Sequence, residues 1–259
     1  LDIAPATEDG STWLPFGWFG VWAALPFAMW LFLAVEGVPL AAEEARDPAQ
    51  DVPRGIIAAM IFLLITAPIV VPVLARATSA ADIGASAVPL VDALNASGRP
   101  ALARVVNVLG LAGLIASFFS IIYGYSRLVF ALSRAGYLPR GLSITSRRNV
   151  PVRALVVPGV FGFCMSLTGE GDLMLAMAVV GATVSYALMS LSHVLLRLRQ
   201  PDLERPYRTP GGVLTSGLAF ALSLVAMTGV YAFDPRAFLM TALLFVIGGL
   251  YFFAFAKNH

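Results

Sequence analysis

Little in this sequence could carry out chemistry on a substrate. Of its 259 residues one is cysteine, Cys164, and two are histidines, His193 and the terminal His259. A single cysteine excludes an internal disulfide and a thiolate metal cluster. Two histidines this far apart form no metal-ligating pair, and no phosphate-cradling Gly-rich loop with its lysine and no nucleophile elbow occur. An intramembrane metalloprotease or an ATP-driven pump therefore finds no machinery here, and no cofactor or metal is called for. Charge is scarce too, at 12% of residues, where a soluble domain carries about a quarter. Alternating strand patterns are missing, and nothing calls for nucleic acid.

What is present is apolar: 59% of residues are hydrophobic, with a mean hydropathy of +0.83. About 20 mostly apolar residues suffice to cross a hydrocarbon core of about 30 Å. Seven such runs occur, at about 18–42, 55–75, 102–125, 152–168, 173–196, 212–232 and 237–256. The fold class expected is an all-α polytopic membrane protein with the lipid bilayer as its solvent. Thirteen of the seventeen Lys and Arg fall in alternate connections, those after the first, third and fifth spans and the tail. By the positive-inside rule the N-terminus faces out and the C-terminus faces the cytoplasm. Arg outnumbers Lys sixteen to one, which points to a GC-rich bacterial genome and so to the bacterial cytoplasmic membrane. Leu1 stands where a start residue would, and a chain that begins outside in this way is expected to lack preceding spans.

Residues 1–16 read as a polar lead-in and 87–90 as a short interfacial helix. Residues 126–150, with Leu128, Val129, Leu132 and Leu138 set against Arg127, Arg134 and Arg140, read either as a basic amphipathic surface helix or as a solvated loop. Cys164 is expected to be a packed core thiol, and His193 an interfacial or packing residue.

The residues that could carry function are polar groups at membrane depth. Acids inside spans are rare and face a cavity or a partner. Glu36 is the one acid placed well inside a span, while Glu43 and Glu44 lie at its inner mouth, as candidates for proton coupling or gating. Glu36 either lines a substrate or proton path or ties two helices together. Its neighbours Gly37 and Pro39 loosen and break a helix, and unwound backbone at membrane depth is tolerated where it lines a cavity. An ordinary kink or close helix packing also accounts for that pair. In the third span Asn107, Gly110, Gly113, Ser117, Ser120 and Gly124 share one small, polar-tinged face, for close packing or, at Ser117 and Ser120, for the transport path. Gly181, Thr183, Ser185 and Tyr186 in the fifth span carry the same ambiguity. Phe32, Phe118, Phe119 and Trp30 could cap a cation or simply pack.

FLAVEGVPLAAEEARDPAQDVPRGI resembles the sixth-helix signature of the amino acid–polyamine–organocation (APC) transporters. There an apolar helix breaks at a small-aromatic-acid stretch and runs into E-E-x-x-x-P-x-x-x-x-P-R. Ala34, Val35 and Glu36 fall where that family has Gly-Phe-Glu, with Val35 departing from the aromatic. SRLVFALSRAGYLPRGLSITSRRNVPVRAL is similar to the family's loop after the eighth helix. The resemblance implies a five-plus-five inverted-repeat fold, with the second repeat at 17–200, broken at 34–39, and two peripheral helices at 201–259. The first repeat, as missing N-terminal helices of the same protein, would supply the other wall of the site. Within the family VEGVPLAAEEARDP is most similar to the ethanolamine permeases. That implies a small amine substrate whose ammonium sits against carbonyls near Ala34 and Glu36, in a site lined by Phe32, Ala34, Val35, Glu36, Gly37, Ser117 and Phe118, moved with a coupling proton or cation. An amino acid permease, a non-transporting sensor of the same fold and, more remotely, a membrane-embedded enzyme are the alternatives.

Overall fold

In lipid no water is available to satisfy a backbone amide, so a long apolar run closes its hydrogen bonds within itself and becomes a helix. The computed structural model describes residues 17–33, 35–77, 86–147 and 150–256, and among these it contains helices and connections but no strand. The helices are α1 (Gly17–Leu31), a 3-10 helix (Val35–Glu44), α2 (Pro48–Ala77), α3 (Pro89–Ala96) and α4 (Pro100–Arg134). A 3-10 turn (Arg140–Ser143), α5 (Val152–Ser166), α6 (Gly171–Arg199), α7 (Gly212–Phe233), α8 (Pro235–Tyr251) and a π turn (Phe252–Ala256) follow. Five stretches are long and apolar enough to cross a membrane: Pro48–Pro72, Pro100–Arg134, Gly171–Arg199, Gly212–Ala232 and Pro235–Phe255. Gly17–Leu31 and Val152–Ser166 are apolar but shorter. All seven expected runs are thus helical, and the chain is a polytopic membrane protein. The lead-in at 1–16 lies outside the described residues.

In the first run α1 stops at Leu31 and a 3-10 helix follows from Val35. Two expectations are corrected. Residues 126–134 form no separate surface helix, because α4 runs on through them. Ser126–Arg134 holds no Gly or Pro and is rich in Leu, Ala and Arg, so its propensity carries the helix past the end of the apolar run. It ends where Gly136 takes a left-handed φ of 87°, with Tyr137 N–H donating to Leu132 O and Gly136 N–H to Ser133 O, a Schellman stop. Cys164 is exposed rather than packed, because the helix around it buries little beyond Ala154. The interfacial helix is longer than expected, at Pro89–Ala96.

The helices group into two units, 1–34 with 164–259, and 35–163. In the first, Val179, Val180 and Val230 form the buried core, with Phe238 against it. Thr183 is fully buried; its hydroxyl donates to Val179 O at 2.7 Å and lies 3.5 Å from Met29 Sδ. His193 packs as expected, with Nδ1 2.7 Å from Ser216 Oγ. Arg205 holds the end of α6 by donating to the carbonyls of Leu196, Gln200, Pro201 and Leu203. Asp234 caps α8, its Oδ1 accepting from Arg236 N–H at 2.9 Å and Ala237 N–H at 3.1 Å, ahead of Pro235 at the first helical position. Removal of such a cap costs about 0.5–2 kcal/mol. Asp234→Ala should therefore lower the thermal midpoint of the detergent-solubilised full-length protein, whereas Asp234→Asn should retain most of it.

Candidate functional site

The break after α1 is built by its own sequence. Phe32 N–H donates to Met29 O at 3.0 Å and Leu33 N–H to Trp30 O at 3.3 Å, so the last turn tightens from i+4 to i+3 bonding. Ala34 lies outside the described residues. From Val35 the chain continues as a 10-residue 3-10 helix containing Gly37 and Pro39. Such helices seldom exceed three or four residues, and longer runs mark hinges or strain. Proline explains part of the geometry. In a 3-10 helix the carbonyl of residue i bonds the amide of i+3, and Pro39 has no amide, so the Glu36 carbonyl is left without its helical donor. The Glu36 side chain lies outside the described residues; its backbone places it in the first turn after the break.

Two glycines seat this helix in the second unit. A Cβ at Gly55 of α2 would stand 3.4 Å from Val38 Cγ1, and one at Gly124 of α4 would stand 3.5 Å from Leu40 Cδ1. Gly124 therefore serves close packing, one of the two roles open for its face of α4. Gly37 does not: within its unit a Cβ there would meet no atom within 4 Å.

At the far end of the 3-10 helix four side chains converge. Arg127 Nη2 lies 2.6 Å from Glu44 Oε1 and Nη1 lies 3.3 Å from Glu43 Oε2. Nη1 also donates to Leu40 O at 3.4 Å. Tyr123, one turn earlier on α4, donates its hydroxyl to the same Glu44 oxygen at 2.7 Å, and the guanidinium sits 4.4 Å from the centroid of its ring. The Arg127 side chain is 29% exposed, those of Glu43 and Glu44 88% and 60%. Exposed ion pairs contribute about 0.2–1 kcal/mol each, so the cluster orders the segment without locking it. A cleft of about 600 Å³ opens beside it, lined by Pro39, Leu40, Glu43, Arg127, Phe130 and Arg134 among others.

The structure gathers the expected residues unevenly. Glu43 and Glu44 meet Arg127 and Tyr123, which the sequence reading did not single out. The available signal was two acids ending one segment and a cation ending another at the same depth. Val35 and Gly37 lie in the first turn of the 3-10 helix, half-buried. Phe32 closes the turn of α1 in the other unit. Ser117 and Phe118 sit on residues 107–121 of α4, every one of them exposed. Phe118 packs edge-on to Phe119, centroids 6.1 Å apart. No group of three His, Cys, Asp or Glu side chains able to hold a metal occurs among the described residues.

The family model described as "Amino acid permease" matches residues 2–255. The branched-chain amino acid permease BcaP of Bacillus subtilis is 27% identical over 266 residues, covering 100% of this chain and 56% of its own length. The D-serine/D-alanine/glycine transporter of Escherichia coli is 28% identical over 261 residues, covering 94% of this chain and 54% of its own. The methylthioribose transporter of Bacillus subtilis is 25% identical over 259 residues, covering 97% and 54%. The chain spans about half the length of the curated relatives it matches.

Proposed function

This chain belongs to the amino acid permease family of the APC superfamily, and we propose that it is the C-terminal part of a secondary transporter that imports a small amine, ethanolamine foremost. The family's members are transporters, not enzymes. The observation that carries the proposal is the break itself: α1 ends at Leu31, and in the 3-10 helix that starts at Val35 the Glu36 carbonyl is freed by Pro39, with the acid of Glu36 in sequence beside it. The C-terminal end of a helix and free carbonyls attract cations, so an ammonium is the ligand group this chemistry fits.

On this reading residues 17–200 form the second inverted repeat and 201–259 two peripheral helices. Preceding helices of the same protein supply the facing wall. The chain lies in the bacterial cytoplasmic membrane with the N-terminus outside, the C-terminus cytoplasmic, and Glu43 and Glu44 facing the cytoplasm. Glu36 meets the substrate ammonium or the coupling proton, with Phe32, Ala34, Val35 and Gly37 as its neighbours in sequence at the substrate site. Ser117 and Phe118 join the site only from α4's exposed stretch.

A neutral amino acid is the second reading, favoured by relatives whose names state branched-chain amino acids or D-serine, D-alanine and glycine. Both substrates carry an ammonium; only the amino acid carries a carboxylate. Uptake of labelled ethanolamine and of neutral amino acids by full-length protein in proteoliposomes, at several pH values, separates them. The proposal expects ethanolamine uptake stimulated by an inward proton or cation gradient, and amino acids as weak competitors. Uptake of amino acids alone selects the second reading. Binding without flux of either would make the protein a sensor.

A further inference from the structure

Transport through the break requires carboxylates at the inner mouth only as part of a path; it does not require a guanidinium held on both. We infer that Arg127, seated on Tyr123, is a positioning residue that latches the inner end of the 3-10 helix to α4, and that the latch opens and recloses in each transport cycle. The inference rests on the transporter reading above and adds to it the contact that must break.

The contacts have a direction. All the donors come from one rigid element, α4, from side chains one turn apart. All the acceptors lie within residues 40–44 of the 3-10 helix. Apolar contacts also seat that helix, among them Val38 on Gly55 and Leu40 on Gly124, and its inner end runs on through three residues into α2. A side chain resting against a glycine meets no side chain there to interlock with, so the polar contacts supply the directional restraint between the segment and α4. At its other end is the break, where helical bonding is already interrupted. A segment hinged at one end and tied at the other moves when the tie is released.

The tie is made to be released. Glu43 and Glu44 are largely exposed, so water replaces the guanidinium at little cost when the pairs part. The cleft of about 600 Å³ bounded by Glu43, Arg127 and Phe130 brings that water to the contact. Tyr123 gives the guanidinium a resting place, its ring beneath and its hydroxyl on the shared Glu44 oxygen, so Arg127 stays poised for reclosure.

The test uses the full-length transporter in proteoliposomes, with native cysteines replaced, Cys164→Ser among them, and a reporter at Ala42→Cys. Labelling by a membrane-impermeant thiol reagent from the cytoplasmic side reads how often the segment is released. Arg127→Ala should raise the labelling rate about fivefold, the shift that two exposed ion pairs sustain. Tyr123→Phe, which keeps the ring, should raise it less, and Arg127→Lys less than Arg127→Ala. Arg127→Glu combined with Glu44→Arg should return it to within about twofold of the parent, since paired residues are not additive. In transport, Arg127→Ala should retain exchange of substrate across the membrane while losing gradient-driven accumulation, a split that a merely structural defect would not produce. Unchanged labelling in Arg127→Ala protein of normal thermal midpoint overturns the latch. Failure of the reversed pair to restore labelling overturns it as well. Because labelling needs no substrate, a parent protein without flux sinks the transporter reading while the latch is still read.

Discussion

Glu36→Gln in the full-length protein should cut amine uptake roughly 10- to 100-fold, the worth of about 1.5–3 kcal/mol for a hydrogen bond to a charged group. The expectation follows from the backbone first. Pro39 leaves the Glu36 carbonyl without its helical donor, and α1 ends a few residues earlier. That arrangement already favours a cation, and a carboxylate in the same turn adds the one full negative charge this span places near its middle. Gln preserves size and hydrogen bonding and removes only the charge, so the defect isolates electrostatics. Two patterns separate the two roles. If the carboxylate meets the substrate ammonium, KM rises while the dependence on proton gradient persists. If it carries the coupling proton, accumulation collapses, exchange persists and the pH profile flattens, because an amide has no proton to take up and release in this range. Glu36→Asp should recover part of either function. Uptake and pH profile left near wild type would remove Glu36 from the mechanism.

The fold was legible wherever lipid imposes the rule. Long apolar runs must be helices, so the five stretches from Pro48–Pro72 to Pro235–Phe255 could be read almost directly. The break was legible because Glu36, Gly37 and Pro39 are each unusual inside a span, and together they leave few structures open. Its form was not legible. Hydropathy does not distinguish i+4 from i+3 bonding, and the 3-10 helix at Val35–Glu44 arises from Pro39 and from seating against Gly55 and Gly124, the second 84 residues along the chain from Leu40. The end of α4 was misread for a related reason. An apolar run marks where lipid stops, whereas a helix stops where propensity and a cap stop it, here at Gly136. Arg127 was read as one more inside charge. Its partners Glu43 and Glu44 lie 84 and 83 residues away, beyond any local pattern.

Gly229→Leu should be among the most damaging single substitutions in α7, lowering stability by about 2–4 kcal/mol where over-packing usually costs 1–3. The reason lies in α1. Pro26 sits inside that helix and is buried, and because it has no amide the Trp22 carbonyl lacks its i+4 donor. A carbonyl in this state is left to water or to a close polar or C–H neighbour. α7 provides the approach: Gly229 is buried, and a Cβ built there would stand 3.1 Å from Trp22 O and 3.5 Å from Pro26 Cδ. One obstacle is backbone, which cannot swing aside as a side-chain tip would. Beside it Trp22 Nε1–H donates to Thr228 Oγ1 at 3.1 Å, so displacing α1 also breaks a polar contact that fixes the register of the two helices. The control lies on the same helix, since a Cβ at Gly217 would meet nothing within 4 Å. Gly217→Leu should be close to neutral, with propensity gained and no clash. For a protein of this size about 2–4 kcal/mol corresponds to a fall of roughly 5–15 °C in midpoint, with a shift in tryptophan emission as Trp22 leaves its partner. Equal midpoints for the two variants would show that α1 does not depend on this contact. A large loss at Gly229 with normal folding at Gly217 would show that the outer half of the broken span is held by α7, so that the break, rather than α1, is where the span can move.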